Sequence, residues 1–240
     1  KTVLDNATML NHIAGYDPKD PFSVKADKVD YTEEIGKSLA GLTIGIPNNF
    51  YFDVMQEEIR ASFEQTVKDL EASGVTIKYV DIPYMEELLT AQHGILMTEG
   101  YAALEREFRE SPQLIEEEVR SRIVGGMYVS AAEYFQMLKI KHLAIEAFLK
   151  LYQEVDVFMT PTLAAAPCDI DQREIEVPTG KEHPRLYNRL TGPMNTTGFP
   201  AISVPGIPAK GLPMGIQFFG PPFSEKRLYR FAAAVEKLYR

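Results

Sequence analysis

Apolar residues first recur at helical spacing. Val3, Ala7, Leu10 and Ala14 fall at i, i+4, i+7 and i+11, which predicts a helix over residues 2–14 with Gly15 as its cap. Residues 16–28 set Pro18 and Pro21 among paired charges and read as an exposed loop. Residues 42–47 (LTIGIP) are a short apolar run ending at a proline, a buried strand. Asp53, Glu57 and Glu58 then signal a helix start, and Ile59, Phe63, Val67 and Leu70 give residues 58–73 one apolar face before Gly74. Residues 75–82 (VTIKYVDI) alternate in the manner of a strand. This strand–helix–strand unit predicts a parallel pair joined by a right-handed crossover.

The middle of the chain is helical. Residues 85–108 form one predicted helix and residues 115–127 another, broken by Gly125 and Gly126. Ser130 reads as an N-cap with Glu133 at the capping-box position, opening the longest helix, 130–153. Its flank of Tyr134, Met137, Leu138, Lys141, Ile145, Phe148, Leu149 and Tyr152 predicts core packing in preference to a cofactor or membrane face. Residues 155–163 (VDVFMTPTL) read as a buried strand, 168–177 as a polar excursion or hairpin, and 184–194 as a short helix. Residues 188–220 are dense in glycine and proline yet hold two strand-like runs, 201–204 (AISV) and 214–219 (MGIQFF). Such a stretch has special dihedrals at set points and suits either a binding loop carried on strands or a pair of tight turns in a core. Ser224 caps a last helix, 225–239, with Leu228, Phe231, Ala232 and Val235 inward. The sum is an α/β fold, a mixed twisted sheet covered by helices, read as one domain over residues 1–240.

Composition narrows the function. The 240 residues are 45% hydrophobic, enough for a substantial core. A net charge of −9 argues against a broad nucleic-acid surface. No run of 18 apolar residues marks a transmembrane helix, and no signal-peptide pattern opens the chain. Cys168 stands alone, so no internal disulfide is expected, and a reducing, cytoplasmic setting fits. Lys1 falls on the first turn of a helical pattern, so the chain reads as a piece cut from a longer protein. Residues 48–52 (NNFYF) lack the glycines of a phosphate-binding loop, which removes a nucleotide-binding reading. His12 and His93 have no neighbours that complete a metal or base constellation, and Cys168 no activating base beside it in sequence.

The runs 2–21 (TVLDNATMLNHIAGYDPKDP), 158–167 (FMTPTLAAAP), 192–206 (GPMNTTGFPAISVPG) and 211–237 (GLPMGIQFFGPPFSEKRLYRFAAAVEK) resemble the C-terminal half of amidase signature family enzymes. That family includes acyl-amide hydrolases and the A subunit of glutamyl-tRNA amidotransferase. The resemblance implies hydrolysis of a carboxylic amide to acid plus ammonia or amine, without metal or cofactor. A Ser–cis-Ser–Lys triad supplies the nucleophile and backbone N–H groups of a Gly/Ser-rich loop hold the oxyanion. None of the serines here sits in such a loop, Ser203 included, so no catalytic residue is assigned and the isolated chain is expected to be inert.

What the resemblance assigns to this half is the far wall of the substrate pocket. Arg122 lies where amidotransferase A subunits carry a basic residue for a substrate carboxylate, although Glu118 stands four residues before it as an alternative partner. Asn188 lies where those proteins carry an aspartate for the substrate α-amino group. Tyr128, Thr160, Pro161, Met194 and Asn195 line the pocket by the same analogy, Asn195 being equally readable as a backbone-bracing amide. The neutral Asn188 favours a general amidase over the A subunit of an amidotransferase; the amidotransferase reading and a non-catalytic binding module stay as alternatives. The implied partners are a small-molecule amide and the missing N-terminal half, whose strands complete the sheet in the family. An exposed sheet edge and apolar face are therefore expected, with a homodimer or aggregation as the consequence.

Overall fold

The computed structural model describes residues 1–209 and 211–239, the side chains of 184 and 185 excepted. In chain order the elements are α1 (Val3–Ile13), β1 (Thr43–Pro47), α2 (Glu57–Ala72), β2 (Thr76–Val80), α3 (Met85–Ala103), α4 (Glu105–Glu110), α5 (Glu117–Ile123), α6 (Ala131–Leu151), β3 (Val157–Pro161), β4 (Ile175–Val177), β5 (Gly180–Glu182), α7 (Gly192–Thr197), β6 (Ala201–Pro205), β7 (Gly215–Phe219) and α8 (Glu225–Tyr239). Three-residue-per-turn segments lie at Pro112–Leu114, Val124–Tyr128 and Pro184–Asn188.

Five strands make one mixed sheet in the order β2-β1-β3-β7-β6. β1 pairs in parallel with β2 and β3, and β7 runs antiparallel to both β3 and β6. β4 and β5 form a separate hairpin. The twofold period of strands divides β3 between two cores: Val157 and Met159 enter one, Phe158 the other. On the first face, Ile44, Ile46, Ile216 and Phe218 meet Phe63, Val67 and Leu70 of α2 and Phe231 and Val235 of α8. On the second, Phe148 of α6 meets Phe158, Phe199 and Phe219 edge-on at centroid distances of 5.9, 5.7 and 6.0 Å, a geometry the aromatic quadrupole favours. Gly45 of β1 is required there, because a Cβ would lie 2.7 Å from the Phe158 ring.

Several elements differ from their sequence reading for local reasons. α1 ends on Ala14 in extended backbone, so Gly15 is not its cap. The long helix expected over 85–108 breaks at Leu104 into α3 and α4. The pair Gly125–Gly126 tightens the chain into a 3-10 turn where the sequence suggests only a stop. The excursion after Cys168 pairs later than expected, at 175–182. α6 instead keeps its predicted flank, which is half-buried or buried at every position and packs mainly on α3 and α7, while Phe135, off that flank, is 63% exposed. β6 is an outer strand with Ala201, Ser203 and Pro205 exposed. Among the described residues no helix is long and apolar enough to cross a membrane.

Candidate functional site

Helix α3 is the beam on which the candidate residues hang. Two glycines let other segments reach its surface. A Cβ on Gly192, at the start of α7, would lie 2.0 Å from Gln92 Oε1; one on Gly126 would lie 2.1 Å from Met97 O. Gln92 and Met97 are roughly one and a half turns apart along the helix. The segment with Arg122 and Tyr128 and the segment with Asn188 and Asn195 therefore meet the same helix.

α5 forms because Glu116 caps it, its carboxylate accepting from Val119 N at 3.0 Å, while Glu117 and Glu118 lie in the first turn and Arg120 and Arg122 in the last. Main-chain N–H groups of Glu118 and Val119 hold the Glu116 carboxyl below its usual range. Arg120 is used structurally, donating to Pro112 O at 3.2 Å. Arg122 is half-buried and has no ion-pair partner among the described residues. Tyr128, at the end of the 3-10 turn, is 79% exposed.

α7 is a six-residue helix with Pro193 in its first turn, closed by Gly198 in the left-handed region (φ 77°), whose N–H donates to Met194 O at 2.9 Å. Thr196 and Thr197 turn their hydroxyls onto the helix's own carbonyls at 3.0 and 2.9 Å. Asn195 is exposed, and its side chain bonds to no described residue. Asn188 is exposed at the end of its 3-10 turn. Thr160, Pro161 and Met194 are placed differently: all three are buried, and the Thr160 hydroxyl accepts from Gln217 at 3.0 Å.

Two residues that the sequence reading passed over stand beside this segment. Gln217 is buried in β7 and links Thr160 to Leu190 O. A lone carboxamide inside MGIQFF is itself a signal, because a buried amide needs partners. Arg189 lays its guanidinium 4.2 Å from the Phe50 ring centroid and donates to Glu86 Oε1 at 2.6 Å. Nothing in its local pattern marks it, since both partners are distant in sequence.

No activated nucleophile is formed by the described residues singled out from the sequence. The Ser203 Oγ lies 2.7 Å from Thr162 Oγ1, a hydroxyl that cannot serve as a base. Cys168 is half-buried next to Tyr187; burial, then the thiol, pushes that phenol up to about 12, and its hydroxyl donates to Ala166 O at 2.6 Å. No group of three or more His, Cys, Asp or Glu able to hold a metal occurs among the described residues. A cavity of about 810 Å³ lies under the loop that follows α1, lined by residues such as Tyr16, Tyr31 and Phe223; none of the five site candidates touches it.

Comparison with known proteins covers the whole arrangement. The family model described as Amidase matches residues 1–229. An amidase of Pseudomonas putida is 32% identical over 240 residues, covering 99% of this chain and 51% of its own length. The A subunit of the glutamyl-tRNA(Gln) amidotransferase from Parvibaculum lavamentivorans is 32% identical over 261 residues, covering 99% and 52%. The crystal structure of the corresponding protein from Thermotoga maritima superposes with a TM-score of 0.76 at 28% identity, covering 100% of this chain and 51% of that one. A bacterial aryl acylamidase of the amidase signature family gives a TM-score of 0.85 over 98% of this chain and 51% of its own; at 22% identity that likeness concerns the fold. The chain spans about half the length of the curated relatives it matches. With a family match over nearly every residue and the same sheet and helices in the solved structures, this chain belongs to the amidase family.

Proposed function

We propose that this chain is the C-terminal, substrate-pocket half of an amidase that hydrolyses a carboxylic amide to acid plus ammonia or amine in the cytoplasm. The observation that carries the reading is the family match over residues 1–229, joined to an arrangement in which α3 carries both candidate segments. Arg122 meets a substrate carboxylate, Tyr128 covers the ligand, and Asn188 and Asn195 offer neutral amides to its polar groups. Thr160 belongs to the same wall from beneath. The nucleophile and its base come from an N-terminal half that also pairs with the exposed β6 edge; the exposure of Tyr128 and Phe135 supports further polypeptide against this chain. The whole of 1–240 then behaves as one unit of the larger enzyme, and a chain left without its other half is prone to self-associate.

The 32% identity to the A subunit from Parvibaculum lavamentivorans also supports a second reading, the A subunit of a tRNA-dependent amidotransferase. The charge at 188 separates the two. A neutral asparagine gives an α-ammonium group no counter-ion, which weakens glutamine as substrate.

The test is ammonia release from a panel of amides, glutamine included, by this chain and by the longest reading frame that contains it. The frame is expected to be active and the chain inert. In the active frame, Arg122→Ala is expected to raise KM for carboxylate-bearing amides about tenfold or more, the scale of a lost charge-assisted bond. Turnover by the 240-residue chain itself would overturn the reading.

A further inference from the structure

We infer that Gln217 is a positioning residue for the amide site, its carboxamide fixing the segment that presents Asn188 and Asn195. The inference rests on the reading of that segment as pocket wall. Gln217 is 3% exposed in mid-β7, in register with Thr160 of β3. Its Nε2 donates to Thr160 Oγ1 at 3.0 Å and to Leu190 O at 3.2 Å. The atom facing Leu190 has to be the amide nitrogen, because a main-chain carbonyl only accepts; two N–H groups then match two acceptors. Thr160 in this scheme acts through Gln217 and does not touch substrate.

Leu190 lies two residues from Asn188 and two from Gly192, so the bond to its carbonyl sits midway between them. Two other contacts hold the same stretch. Arg189, its side chain 15% exposed, is stacked on Phe50 and tied to Glu86 at the start of α3. Gly192 is pressed against Gln92 of α3. Residues 189, 190 and 192 are thus fastened at three points, two of them involving α3 and one the sheet, whereas the side chains of Asn188 and Asn195 are exposed and bond to no described residue. Of the three fastenings, the Gln217 bond alone ties the segment's main chain to the sheet. A short 3-10 turn followed by a six-residue helix has little rigidity of its own, so the sheet supplies it.

The test uses the longest reading frame containing this chain, with Gln217→Leu and Thr160→Val. Gln217→Leu is expected to raise KM about fivefold, the scale of one lost hydrogen bond, with kcat within about twofold. Amide hydrogen exchange is expected to quicken in residues 188–198 and not elsewhere. Thr160→Val, nearly isosteric, is expected to act in the same direction with smaller size, and it stands in where Gln217→Leu fails to fold. Unchanged exchange in both variants overturns the inference. Faster local exchange with unchanged KM overturns its link to substrate, and an equal loss spread over the whole protein reduces Gln217 to a structural role. Should the parent frame hydrolyse no amide, the proposed function fails by itself, while exchange in 188–198 still decides whether Gln217 holds the segment.

Discussion

Replacing Gly126 with alanine tests the close approach on which the site is built. The added Cβ would stand 2.1 Å from Met97 O, 2.5 Å from Met97 C and 3.0 Å from Thr98 Cα. All three are main-chain atoms of α3, which cannot rotate aside. Gly125 provides the internal control, since its Cβ would meet only the Met97 Sδ at 3.4 Å, an ordinary contact with a flexible side chain. Neither glycine has a positive φ, so backbone strain does not enter and the difference is steric. Overpacking costs about 1–3 kcal/mol, and a clash against helix backbone belongs at the top of that range. Gly125→Ala is expected to change stability by about 0.5 kcal/mol or less, the smaller freedom of the unfolded chain offsetting any crowding. At ~2–4 °C per kcal/mol, thermal unfolding followed by circular dichroism should put Gly126→Ala roughly 6–12 °C below the parent and Gly125→Ala within about 2 °C of it. Equal shifts for the two variants would refute the reasoning and leave Gly125–Gly126 as a simple helix breaker.

Other outcomes follow from particular contacts. Ser130 caps α6 through a reciprocal pair, its Oγ accepting from Glu133 N at 3.2 Å while the Glu133 carboxylate accepts from Ser130 N at 2.8 Å. Ser130→Ala should cost about 1 kcal/mol in urea unfolding and Ser130→Gly only a few tenths, an order that a non-capping serine would not give. Burial chiefly pushes the phenols of Tyr187 and Tyr239 up to about 12, from an ordinary 10.0. The folded state therefore favours the neutral form; that stabilisation is complete below pH 10.0 and is lost as pH rises towards about 12. Urea midpoints that stay flat across this window, with both phenols already half-ionised at pH 10.0, would contradict the burial of both rings.

Most elements were legible from period alone, and the exceptions have physical causes. The apolar runs at 42–47, 155–163 and 214–219 locate strands, because a buried strand has few other patterns to adopt. The Ser130 capping box was legible because all its atoms lie within one turn. Strand order was not, since β3 between β1 and β7 depends on pairings far apart in sequence. Periodicity also says which flank of α6 is apolar without saying what covers it; every residue of that flank is half-buried or buried, with Phe148, Ile145, Leu149 and Tyr152 in the second core. The glycines at 125 and 126 look alike in sequence, yet one meets a backbone and the other a side-chain tip. Among the site candidates, Arg122, Tyr128, Asn188 and Asn195 lie at or near the surface, while Thr160 lies inside. Resemblance transfers a position along β3 but not its environment; alternation along the strand gives Thr160 the direction of Phe158, away from Val157 and Met159. Gln217 was legible in principle from its polarity, but its partner Leu190 O is a main-chain atom that no side-chain pattern names.

The seam between α1 and α8 bears on how the chain is made. Val3 N donates to Glu236 Oε1 at 3.1 Å, across 233 residues, and Tyr229 Oη donates to Asn6 Oδ1 at 2.5 Å. On a ribosome adding about 5–20 residues per second, α1 emerges more than ~10 s before the helix that buries Val3 and Ala7 exists. Until then α1 lacks the α8 surface it closes on in the fold, and its apolar stripe is open to other contacts. The β1–α2–β2 unit can close early from local pairings, but the core face it shares with α8 stays open until α8 is made.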